Sequence, residues 1–115
     1  MKQRSIIVPK DKAAEEALDF GEAIDSQLIK LTLSNKEFYE LYKTGIFDLI
    51  NKIAKVNIDD FEDERIIAKI DLTKIIDSLS NNQLFYSEVT KPLVLQIKQM
   101  FEEALKIGTG VYFFF

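Results

Sequence analysis

Gly108-Thr109-Gly110-Val111-Tyr112-Phe113-Phe114-Phe115 is the stretch that decides the fold. Its glycines close whatever precedes them, and five aromatic or β-branched residues follow with no polar alternate. Such a run reads as a strand covered on both faces, because three consecutive phenylalanines are poorly placed in water. Immediately upstream, Pro92 opens the longest helical pattern, with Leu93, Ile97, Met100, Phe101 and Ala104 facing inward. At the other end, Ser5-Ile6-Ile7-Val8 is a second β-branched run stopped by Pro9. The first and last segments are expected side by side in one small sheet.

Between these ends the punctuation is local. Asp11 reads as the N-cap of a helix running to Phe20, with Ala13, Ala14, Ala17 and Leu18 on one face and Gly21 at its end. Leu28 to Leu33 alternates, Ile29, Leu31 and Leu33 opposing Lys30 and Thr32, as a strand with one wetter face does. Ser34 and Glu37 form a capping box ahead of Phe38, Leu41, Tyr42, Leu49 and Ile53. Gly45 interrupts that face, which predicts a bend or two consecutive helices. Arg65 to Ile70 stays open between strand and helix, since Ile67 breaks the alternation of Ile66, Ala68 and Ile70. Asp71 reads as the cap of a helix carrying Leu72, Ile75, Ile76 and Leu79, and Leu84-Phe85-Tyr86 as a short extended piece. The expected fold is α/β, one domain over residues 1–115. Its sheet is small, three to four strands and at least partly parallel, packed with four to five helices.

Composition removes whole classes of chemistry. The chain has neither cysteine nor histidine. Disulfides, thiolate zinc sites, cysteine nucleophiles and serine–histidine catalysis are therefore impossible within it. No cofactor is expected, because Gly21, Gly45, Gly108 and Gly110 are scattered and match no phosphate-binding fingerprint. The basic start Met1-Lys2-Gln3-Arg4 is followed by too short an apolar stretch for a secretory signal, and no run is long enough to span a bilayer. A cytoplasmic location without membrane association is expected.

The charge is regional. Of nineteen acids, five lie between Ala13 and Gln27 (Glu15, Glu16, Asp19, Glu22, Asp25) and five between Asn57 and Glu64 (Asp59, Asp60, Glu62, Asp63, Glu64), with no base in either run. The rest of the chain carries nine acids against fifteen bases. Acids near helix N-termini or on solvated surface account for such runs without function, but the density of the second also suits steering of a basic partner. The net charge of −4 argues against a nucleic-acid ligand. Clustered carboxylates at 59–64 lack the glycine and terminal glutamate of a calcium-binding EF-hand, so no metal is assigned. A carboxylate pair acting as acid and base stays open as a third class. Phe38, Tyr39, Tyr42, Phe47, Phe85 and Tyr86 lack the basic interleaving of a base-stacking surface and read as core, while Tyr39 and Phe61 are candidate interface anchors.

Leu93-Val94-Leu95-Gln96-Ile97-Lys98-Gln99-Met100-Phe101-Glu102-Glu103-Ala104-Leu105-Lys106-Ile107-Gly108, running into Val111 to Phe115, resembles the last helix and strand of the barstar family of immunity proteins. That resemblance implies a parallel sheet and masking of a nuclease by carboxylates. The expected function is a non-enzymatic protein-binding module, an immunity protein that neutralises a basic bacterial toxin. The partner-binding residues are expected at Asp59, Asp60, Phe61, Glu62, Asp63 and Glu64. The alternative is a structural or regulatory domain whose acids only solvate its surface.

Overall fold

β1 (Arg4–Pro9) is the strand around which the chain is arranged. In the computed structural model, which describes residues 4–81 and 87–115, it is buried along its length. It pairs with β2 (Leu28–Leu33) on one side and β4 (Val111–Phe114) on the other. β3 (Asp63–Ile66) adds to the outer side of β4, giving the order β2-β1-β4-β3. The first and last segments are neighbours as expected, Ile6 opposite Phe113 and Ile7 opposite Tyr112.

The expectation of a partly parallel sheet is corrected: all three pairings are antiparallel. The reason lies in the connections. α1 (Lys12–Asp19) has eight residues and is therefore about 12 Å long. The chain then returns through a 3-10 turn at Asp25–Gln27 to the end of the strand it left, where the Lys10 N–H donates to the Gln27 carbonyl at 2.9 Å. This is a hairpin with a helix in its loop rather than a crossover. α2 (Asn35–Thr44) and α3 (Ile46–Ala54) stand between β2 and β3, and α4 (Lys69–Asn81) and α5 (Thr90–Ile107) between β3 and β4. A pair of helical passes brings the chain back to the end of the sheet it left, so the next strand runs opposite.

Most local signals act where they stand. Asp11 Oδ1 accepts from the Ala14 N–H at 2.7 Å, and Ser34 and Glu37 exchange both bonds of their capping box at 3.1 and 2.8 Å. Gly45, at φ +86°, divides α2 from α3. Asp71 is corrected from cap to first-turn residue, because α4 starts at Lys69; the macrodipole favours a carboxylate there as well. Residues 65–70 resolve into the end of a strand at Ile66 and the start of a helix at Lys69. α5 begins at Thr90, ahead of Pro92, where Ser87 and Thr90 bond reciprocally. Leu84-Phe85-Tyr86 lies outside the described residues.

Successive strand residues point to opposite faces. Ile6, Val8, Leu33, Ile66, Val111 and Phe113 belong to the larger core with α2 to α5. There the Phe113 ring lies 6.2 Å from Phe101, and Phe115 lies 4.9 Å from Phe38 and 5.4 Å from Phe47. Tyr112 and Phe114 point the other way, where the short α1 packs and leaves Phe114 partly exposed. A thick helical layer on one side and a single short helix on the other leave a groove beside α1.

Candidate functional site: an acidic turn and a carboxylate-lined groove

The acidic run at 59–64 forms a tight turn leading into β3. The Glu62 N–H donates to the Asp59 carbonyl at 3.2 Å, which places Phe61 in the left-handed region at φ +63°. An L-residue pays roughly 1–2 kcal/mol for that conformation. Two backbone bonds to the last residue hold it, Phe61 N–H to the Phe115 carbonyl and Phe115 N–H to the Glu62 carbonyl, both 3.1 Å. Phe61 is 75% exposed.

The first two acids of the run turn back into the protein. Asp60 Oδ1 lies 2.6 Å from Arg4 Nη1, and its Oδ2 accepts from the Tyr39 hydroxyl at 3.0 Å. Asp59 Oδ1 accepts from the Tyr42 hydroxyl at 3.2 Å and from the Asp60 N–H at 2.7 Å. Arg4 is only 3% exposed; its Nε donates to Asn35 Oδ1 at 2.9 Å and its guanidinium carbon sits 4.1 Å from the Phe38 ring centre. A buried guanidinium needs this density of partners, because an unpaired charge there is costly. The bond to Asp60 raises the Tyr39 hydroxyl pKa above its ordinary 10, and desolvation followed by the Asp59 charge raises that of Tyr42. Glu62 and Asp63 stay exposed, and Glu64 is partly buried on the edge strand.

Asp63 and Glu64 also line a groove of about 340 Å³ beside α1, together with Leu18, Asp19, Arg65, Tyr112 and Phe114. Of the two acids, Asp63 shares the Phe114 face, whereas Glu64 is in register with Phe113 on the other. Asp19 belongs to the first acidic run, so the fold joins two acidic segments that are far apart in sequence. Glu15, from the same run, accepts from the Tyr112 hydroxyl at 3.1 Å. Burial first, then the Glu15 charge, pushes the Tyr112 hydroxyl pKa far up, which extends its role as a protonated donor to Glu15 into the alkaline range. Arg65 Nη1 lies 3.3 Å from Asp19 Oδ1 across the rim, an exposed pair worth about 1 kcal/mol or less.

The sequence reading singled out 59–64 but not Arg4, Asp19, Arg65 or Tyr112. Period-two alternation carried the missing signal: it puts Arg4 on the same face as Ile6 and Val8, and Tyr112 on the face opposite Phe113. Among the described residues no group of three or more acids is placed to hold a metal ion, and no helix is long and apolar enough to cross a membrane.

Among the described residues, fold and site together define a small α/β protein with a four-stranded antiparallel sheet, five α-helices and a carboxylate-lined groove. No family model and no curated protein matches the chain. Among solved structures it is similar to the Neisseria DNA mimic protein DMP12, with a TM-score of 0.69 at 20% identity over 99% of this chain and 100% of that chain. This likeness overturns the resemblance to barstar and to toxin-immunity proteins, and the antiparallel sheet contradicts the parallel one that resemblance implied. The shared helix–glycine–strand ending is a local unit that many folds contain. The partner expectation is corrected as well. A plain basic protein partner, with nucleic acid left out of account, gives way before a neighbour that is itself a DNA mimic.

Proposed function

We propose that this chain is a non-enzymatic acidic protein that occupies the DNA-binding surface of a protein partner, presenting carboxylates where that partner receives phosphates. The observation that carries the reading is the meeting of both acidic runs at one groove, Asp19 on α1 beside Asp63 on β3. The fold likeness to a DNA mimic protein supports it. A DNA-binding surface is an array of lysines and arginines arranged to neutralise phosphates. Carboxylates held on a rigid strand and helix compete for the same array and speed the encounter. In this reading Asp19, Glu62 and Asp63 supply charge, and Phe61 adds an apolar contact; Glu64, in register with Phe113, turns its carboxylate to the other face of the sheet. Asp59 and Asp60 belong to the same site and fix the shape of its turn.

Competitive elution tests the proposal. DNA-binding proteins from the source cell are retained on immobilised duplex DNA and washed with this chain at fixed ionic strength. The expected result is release of a discrete protein by the wild type and not by a D19N/E62Q/D63N variant. Release of nothing, or equal release by the variant, would refute the reading.

A further inference from the structure

We infer that the groove beside α1 is a socket for an arginine side chain of the partner, and that Arg65 keeps its place in the free protein. The inference rests on the proposed function and specifies the chemistry recognised there. Tyr112 and Phe114, alternate residues of β4, line the groove with ring centres 6.5 Å apart and only 14° from parallel, Tyr112 as its buried floor at 4% exposure and Phe114 as the partly exposed ring. Aromatic surface of this kind favours a planar, weakly hydrated guanidinium over a compact, strongly hydrated ammonium. Asp19 and Asp63 stand at the rim, so an entering guanidinium meets carboxylates while its stem lies against Leu18 and the rings.

Arg65 already places a guanidinium at Asp19. Its side chain is 60% exposed and reaches Asp19, itself 44% exposed, through one contact at 3.3 Å. An exposed pair with a single contact exchanges readily for another cation. Arg65 also lies opposite Tyr112 in the β3–β4 ladder, so its side chain leaves without disturbing the backbone pairing. A partner's arginine would replace it at Asp19 and gain the partly exposed Phe114 ring as well.

The test uses amide-resolved NMR of the full chain titrated with N-acetyl-arginine amide and, at matched ionic strength, N-acetyl-lysine amide. The expected result is saturable shifts at Leu18, Tyr112 and Phe114, with the arginine compound binding about fivefold tighter. R65Q should tighten binding roughly twofold without changing Tm, because it removes a competing exposed cation; D63N should weaken it. Equal binding of both compounds, shifts centred elsewhere, or R65Q binding no better than wild type would overturn the socket. No macromolecular partner enters this experiment, so its failure leaves the DNA-elution result standing, and the reverse holds as well.

Discussion

Arg4 Nη1 and Asp60 Oδ1 lie 2.6 Å apart, and this contact ties the first strand to the acidic turn before the third. The Arg4 guanidinium is almost fully buried, whereas the Asp60 side chain is 28% exposed. Asp60→Ala therefore strands a buried cation and should cost about 2–3 kcal/mol, below the roughly 3–5 of a fully buried pair because water still reaches Asp60. Urea denaturation reads this directly. Glu62→Gln, on an exposed neighbour, should change stability by less than about 0.5 kcal/mol. Equal effects of the two variants would mean that the turn is not held by Arg4.

Gly110 stands where α5 hands over to β4. A Cβ there would lie 2.7 Å from the Ile66 carbonyl oxygen and 2.9 Å from an Ile67 side-chain carbon. The first neighbour is backbone of an adjacent strand and yields little. Gly110→Ala should destabilise the protein by about 1–3 kcal/mol through overpacking at the β3–β4 ladder. Amide exchange should quicken first in β3. A variant as stable as wild type would show that β3 is not packed against this position.

Tyr112 links stability to alkaline pH. Its hydroxyl pKa is raised by burial first and by Glu15 second, above the ordinary value of 10.0. The unfolded tyrosine loses its proton near pH 10 while the folded one keeps it. The stability contributed by its neutral form is therefore complete below about pH 10 and lost as pH rises toward the folded value. Thermal melts should show Tm falling above about pH 10. Tyr112→Phe should lower Tm at neutral pH by the loss of one hydrogen bond, about 1 kcal/mol, and flatten the alkaline fall. A residual slope is expected from Tyr39 and Tyr42, whose pKa values are also raised. An unchanged slope in the variant would detach Tyr112 from the effect.

How much of this was legible in the sequence follows from the range of each interaction. Ser34 with Glu37, Asp11 with Ala14, and the break at Gly45 are contacts within four residues, and each reads correctly. Strand direction is not local. It depended on whether the chain from Pro9 crosses the sheet or returns, and the bond from Lys10 to Gln27 that records the return joins residues 17 apart. The acidic turn was visible as a cluster. That Asp60 is engaged by Arg4 was not, because the partners are 56 residues apart and Arg4 looked like part of a basic terminus. The groove needed Asp19, Asp63 and Tyr112 together, from three elements that only the tertiary fold brings into one place.

The central claim is that the acids of this chain stand in for DNA on a partner's surface, and the most direct measurement is mutual exclusion. A protein released from immobilised DNA by this chain is bound to labelled duplex DNA, and fluorescence anisotropy is followed as the chain is added. The account predicts that the DNA is displaced completely, with a competitive dependence on DNA concentration, and that displacement weakens as salt rises. A ternary complex that keeps the DNA bound at saturating chain would contradict it.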